Sequence, residues 1–262
     1  MTALLALLRR ELLRQVRQPT RIVAAIATPG MIWVFLAAGF GSADPGVDAS
    51  FSAYLVPGVA SMTVLFASIF AAISLIQDRQ EGFLRAALVS PASRSAIAVS
   101  KIAAGAITAT LQGGVVLLAL PAAGHPVTAL GLLLSLAALV CVSTALTGFG
   151  LLMAWRVEST QGYHGVMNAV LMPLWLLSGG VFPVETAAGW LAAIARLNPL
   201  TWCHEAMRHA LGMAPGSDPR IAWLVTVAFA LAGLGAGCWG VGRHRSPAGP
   251  RRQTPPAAEH AP

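Results

Sequence analysis

The chain has 262 residues, of which 56% are hydrophobic and only 10% are charged, with a mean hydropathy of +0.70. Soluble domains carry about 25% charged residues, so this composition excludes a surface covered by water and leaves lipid as the main solvent. The net charge of +7 is spread over separate segments without interleaved aromatics, which points to membrane head groups and topology and not to nucleic acid.

In chain order, "TALLALLRRELLRQVRQPT" places Leu5, Leu8, Leu12 and Val16 on one helical face and most of its arginines on another. That pattern predicts an amphipathic helix lying along the interface, ended by Pro19. Charge-free runs follow at 22–43, 49–77, 102–155, 159–184 and 221–242. A bilayer core takes about 20 apolar residues per helix. Four runs therefore hold one span each, and the longest holds two, divided at "PAAGHP" (121–126), where prolines and a glycine suit a turn. The predicted spans are 22–41, 53–76, 96–120, 127–155, 165–182 and 221–242. Helices are the only reading, because lipid leaves strand edges unsatisfied and no run alternates like a membrane barrel.

Between the second and third spans the chain concentrates charge in "DRQEGFLRAALVSPASRSAIAVSK" (78–101), which contains the only lysine, Lys101. A helix is expected over 77–90, followed by Ser90-Pro91 as cap and first position of the next helix. The segment 183–210 is too apolar for an ordinary loop and too interrupted for a span. Pro183 and Pro199 bracket one short helix, and a second should follow Pro199, both re-entrant or lying on the outer surface. In the last span Gly233 and Gly237 stand at GxxxG spacing, which permits close helix contact. Residues 243–262, rich in proline and arginine, are expected to be a disordered tail.

The fold class is therefore all-α: a polytopic membrane protein with six spans. With six spans both termini share one side, and all but three of the 17 cations (Arg196, Arg208 and Arg220) fall there, which makes it cytoplasmic. Cys141, Cys203 and Cys238 are scattered and read as small packing residues.

Motifs for covalent chemistry are sparse. There is no GxxxxGK[ST] loop to hold nucleotide phosphates. "HEAMRH" (204–209) has one residue too many for HExxH, and at about 100° per residue His209 turns some 140° from His204. No metal site is expected. Ser178 in "LLSGG", with His164 or His204, would be needed for an intramembrane hydrolase, and nothing in the sequence places them together. The polar groups inside predicted spans are Gln112, Asn168, Ser61 and Thr63, none ionisable, which disfavours an ion-driven pump.

Two stretches together carry a family resemblance. "DRQEGFLRAALVSPASRSAIAVSK" and "LWLLSGGVFPVETAAGWLAAIARLNPLTWCHEAMR" resemble, in order, two motifs of the ABC-2-type permeases, the membrane subunits of ATP-driven exporters. The drug-exporter-like members resemble it most. Two departures are Ser100 before Lys101, where the family often has glycine, and the long tail. The resemblance implies that this chain makes and breaks no covalent bond. It implies no cofactor on this chain, with ATP and Mg on a separate ABC ATP-binding subunit docking on the 77–95 connector through Asp78, Arg79, Glu81, Gly82, Arg85 and Pro91. It also implies pairing with a second permease copy or homologue. The substrate path would then run between the second and fifth spans, past Ser61, Phe66, Phe70, Met167, Asn168, Leu171 and Trp175. An outer gate would comprise Phe182, Pro183, Trp190, Asn198 and Pro199. The expected home is a bacterial inner membrane, and the expected cargo is hydrophobic or amphipathic. A secondary transporter and a scaffold without cargo remain as alternatives.

Overall fold

The computed structural model describes residues 2–40, 51–89, 93–213 and 216–243. Among these there are ten α-helices, one 3-10 turn and no strand. In order they are α1 (Thr2–Val16), α2 (Pro19–Phe40), α3 (Phe51–Gln80), α4 (Phe83–Val89), α5 (Arg94–Leu117), α6 (Ala129–Ala154), α7 (Thr160–Leu176), the 3-10 turn Val184–Thr186, α8 (Gly189–Leu197), α9 (Pro199–Ala210) and α10 (Pro219–Arg243). Five helices, α2, α3, α5, α6 and α10, are long and apolar enough to cross a membrane. The chain is a multi-pass membrane protein. α7 has 17 residues, short of the usual span of about 20. It was expected over 165–182. It starts earlier because Ser159 caps it, accepting from Gly162 N at 3.0 Å. It ends earlier because Gly179 adopts φ +69°, a conformation that stops a helix.

α3 is the centre of the bundle. Of its most apolar window 89% is buried, against 11% for α2 at the periphery. α5 and α6 flank α3, and α10 lies against α6. The α6–α10 pair is set by glycine: a Cβ at Gly148 would come within 2.1 Å of Gly233 O, and one at Gly233 within 2.4 Å of Ala145 Cα. The GxxxG pair thus serves close packing inside the chain, where dispersion between backbones replaces the hydrophobic drive that lipid removes.

The connector is divided differently from the expectation of one helix from residue 77. α3 runs on to Gln80, Gly82 (φ +78°) breaks it, and α4 starts at Phe83. Pro91 lies outside the described residues, as does the side chain of Arg85. α5 is capped by Ser93, whose hydroxyl accepts from Ala96 N at 3.1 Å, so the helix begins three residues beyond the expected Ser90 cap. In α1, Leu5 and Val16 are exposed, as an apolar face turned to lipid would be, while Glu11 is buried against the bundle.

Candidate functional site

Two polar clusters lie at the two ends of α3, and between them they involve many of the residues singled out from the sequence. The first gathers α1, the last turn of α3 and the first turns of α5. Lys101 Nζ donates to Glu11 Oε1 at 2.8 Å, Asp78 Oδ2 at 2.5 Å and Ser74 Oγ at 3.1 Å. Arg10 donates to Asp78 Oδ1 at 2.9 Å and to Glu11 Oε1 at 2.8 Å. Arg14 donates to Asp78 Oδ1 at 2.5 Å and to Glu81 Oε1 at 3.0 Å. Three cations thus meet three carboxylates, and Asp78, Glu11 and Lys101 are all buried. Buried charge persists only when paired and hydrogen-bonded, and here every one is. Burial alone would lower the Arg10 pKa, but the bond to Asp78 and the charges of Asp78, Glu11 and Glu81 together outweigh it and the net shift is upward.

α4 is attached to the same cluster. The Arg10 guanidinium lies 3.4 Å from the centroid of the Phe83 ring, a cation–π contact. Arg79 turns the other way and donates to the carbonyls of Ala154 at 2.9 Å, Trp155 at 3.2 Å and Val157 at 3.2 Å. Those are the carbonyls that a helix C-terminus leaves without partners. Glu81 is open to solvent, with 58% of its side chain exposed.

The second cluster joins the other end of α3 to the turn after α7 and to α9. Asn198 caps α9, its Oδ1 accepting from Leu200 N at 3.0 Å, while its amide donates to Leu174 O at 2.5 Å. Pro199 fills the first helical position, where a missing N–H costs nothing. α9 then points His204 inward, with no exposed surface. Its Nε2 meets Ser61 Oγ, and its Nδ1 lies 3.3 Å from Ser178 Oγ. Tyr54 OH donates to Phe182 O at 2.8 Å and lies 3.1 Å from Gly179 O. Arg208 donates to Gly179 O at 2.9 Å, with its guanidinium 3.8 Å from the Tyr54 ring centroid. Gly58 allows this closeness: a Cβ there would stand 2.1 Å from Gly180 O. Burial, helped by the nearby Arg208 charge, pushes the His204 pKa down to about 3, and burial raises that of Glu205.

Sequence reasoning left Ser178 and His204 unconnected, and the structure brings them together with Ser61. The arrangement differs from an activated nucleophile, which gives its proton to the histidine. Ser61 Oγ donates to Gly58 O at 2.8 Å, Ser178 Oγ donates to Trp175 O, and among the described residues no carboxylate hydrogen-bonds the imidazole. It is a hydrogen-bonded joint. His209 instead meets Ser217, at 3.3 Å.

The remaining path residues are scattered. Met167, Leu171 and Trp175 are buried, and Trp175 Nε1 donates to Gly58 O at 2.8 Å. Phe66 and Phe70 are half-buried, and Asn168 is exposed. Phe70 makes an edge contact with His164, with ring centroids 5.8 Å apart. In the outer segment Phe182 and Pro183 are half-buried and Trp190 is 68% exposed.

The family model described as ABC-2 type transporter matches residues 2–211, most of the chain and both clusters. The chain belongs to the ABC-2 type transporter family. Among curated relatives it is similar to the probable multidrug ABC transporter permease YbhR of Escherichia coli K12, with 32% identity over 60% of this chain and 42% of that protein. The match therefore spans less than half of YbhR. It is also similar to the putative transport permease ycf38 of Cyanophora paradoxa (25% identity, 78% of this chain and 72% of that one) and of Porphyra purpurea (24%, with the same shares).

Proposed function

We propose that the chain is the permease of an ATP-driven exporter, powered by a separate ATP-binding subunit and moving a hydrophobic or amphipathic small molecule outward. Family membership carries this reading, and the connector geometry supports it. α4 stands apart from α3 at Gly82 and is pinned to α1 through Phe83 and Arg10. A push on α4 would therefore reach α1, α3 and α5 together through the ion cluster. In this proposal the ATPase touches Glu81, Gly82 and the α4 surface, with Arg85 and Pro91 next to them in the connector. Asp78 and Arg79 anchor the connector from within. The α1 end faces the cytoplasm of the bacterial inner membrane, and two permease copies pair around the path. α8 and α9, with Phe182, Pro183, Trp190, Asn198 and Pro199, then cap the outer exit.

The test is gentle purification of the tagged protein from its native membrane, comparing the parent with Glu81→Arg. The parent should bring an ATP-binding subunit, and Glu81→Arg should lose at least about tenfold of it while keeping the parental melting temperature. A parent that arrives alone would sink the ATPase partnership. A variant that keeps the subunit at parental amounts would remove Glu81 from the contact.

A further inference from the structure

Where the chain turns at Pro19 from α1 into α2, a narrow half-open cleft with about 20 Å³ of free space lies against α3 and α5. Gln15, Gln18, Arg21 and Ile22 form one wall, Phe70 of α3 another and Gln112 of α5 a third. Neither ion cluster nor outer joint uses this site. Gln112 Oε1 is buried without a hydrogen-bond partner. The Arg21 guanidinium lies 6.0 Å from the Phe70 ring centroid. It has no ion-pair partner among the described residues, whereas Arg10 and Arg14 in the preceding helix each have a carboxylate. No Asp or Glu lines the cleft.

An unpaired guanidinium partly removed from water is a receptor for an anion. Its planar fork of N–H donors matches the oxygens of a phosphate, sulfate or carboxylate. The orphan amide oxygen calls for a donor beside that anion, as a glycerol hydroxyl or an acid O–H provides. Beyond Arg21, α2 leaves Val23, Met31, Val34 and Phe35 exposed, an apolar surface on which a hydrocarbon tail loses nothing. We propose that the cleft binds the anionic head of an amphiphile, with Arg21 as counter-ion, Gln112 accepting a neighbouring hydroxyl and the tail lying along α2. The head belongs either to a membrane lipid or to a free single-chain amphiphile. Its bearing on cargo rests on the permease reading, and there it means that an amphiphile admitted at this cleft is anionic and not cationic. Binding itself needs no ATPase, so its failure is separable from failure of the exporter reading.

The test is native mass spectrometry of the full chain in a neutral detergent. Phosphatidylglycerol is offered against phosphatidylcholine, and decyl phosphate against decyltrimethylammonium. The parent should hold one anionic amphiphile about tenfold more strongly than its counterpart, as expected of a charge-assisted hydrogen bond. Arg21→Gln should abolish the preference and Arg21→Lys should keep part of it. Arg17→Gln, an exposed neighbour, should leave it unchanged. Preference for phosphatidylglycerol alone assigns the cleft to lipid, and retention of decyl phosphate assigns it to free amphiphiles. A parent without preference, an Arg21→Gln protein that keeps it, or an Arg17→Gln protein that loses it equally would overturn the proposal. Should Arg21→Gln fail to fold, Gln112→Leu decides: binding weakened severalfold supports the site, and unchanged binding refutes it.

Discussion

α3 ends in charge at one terminus and in neutral polarity at the other. At its last turn Asp78 receives Lys101, Arg10 and Arg14, and the cluster balances three cations with three carboxylates. At its first turns Ser61 and Tyr54 meet a histidine, a serine and backbone carbonyls. The one cation there, Arg208, is paired with a carbonyl and a ring, and its Nε has no partner, nor has Glu205 Oε2. A paired ionic cluster is rigid under load but costly to break by halves, because each deletion leaves a buried charge. A neutral joint can open and close with small changes. The charged end is suited to transmitting force, the neutral end to yielding to it.

The largest expected effect breaks the charged end. Lys101→Met takes the buried ammonium from Glu11 and Asp78, leaving Glu11 with Arg10 and Asp78 with Arg10 and Arg14, and should cost about 3 kcal/mol, read as loss of monodisperse protein on fluorescence-detected size exclusion. Lys101→Met with Glu11→Leu removes one charge of each sign and leaves Asp78 with Arg10 and Arg14. It should recover about 2 kcal/mol or more of that loss. Equal losses for the single and double variants would show that the cluster is not a coupled unit.

At the neutral end backbone approach replaces charge. Gly58→Ala drives a methyl against Gly180 O, 2.1 Å from where its Cβ would stand. It should cost about 1–3 kcal/mol as a lowered melting temperature, and it should expose the α9 edge to protease before the α1 edge. Cleavage first at α1 would reverse the assignment of the softer end.

What the sequence made legible follows the range of the interactions. Local signals read well: the helices, the start of α9 at Pro199 and the GxxxG pair all depend on residues within a few positions. Gly82 stood out only as an implied docking residue; its φ of +78° marks a helix stop, and that is why α3 and α4 separate there. Glu11 stands among arginines, and nothing local marks it as buried. Partners 63 and 90 positions along, Ser74 and Lys101, make its buried position sensible. His204 and Ser61 are 143 residues apart, and a six-residue motif search around His204 has no access to that pairing. In a chain whose long helices are greasy all round, periodicity does not say which face turns inward. α3 and α2 both read as spans, yet one is the core and the other faces outward.

Acid sharpens the contrast between the two ends. His204 is held at about 3, below its ordinary 6.5, so the folded state binds fewer protons than the unfolded one, and stability is lost as pH falls below about 6.5. From pH 7.5 to 5 that amounts to about 2 kcal/mol. The charge that acts on it is Arg208 of its own helix, which in turn interacts with Tyr54 of α3, Glu205 of α9 and Glu185 of the 3-10 turn. Glu205 works in the opposite sense: its raised pKa means that protonation relieves a buried carboxylate, so Glu205→Gln should steepen the acid loss. His204→Gln should flatten it. A parental melting temperature equal at the two pH values would contradict a neutral buried imidazole.

The smallest effect separates a joint from a catalytic pair. Ser178→Ala removes one hydroxyl that donates to Trp175 O and touches His204, and it should cost about 1 kcal/mol. Ser61→Ala should cost a similar amount on the other side of the same ring. The two losses should be non-additive, because both hydroxyls hold one imidazole in place and releasing either frees it for the other. A hydrolytic site predicts something different: full loss of activity from one serine and almost none from the other, with melting temperatures unmoved. Measuring both melting temperatures together with export of a reporter amphiphile distinguishes the two patterns. Graded, coupled losses of stability with export retained belong to a gate hinge.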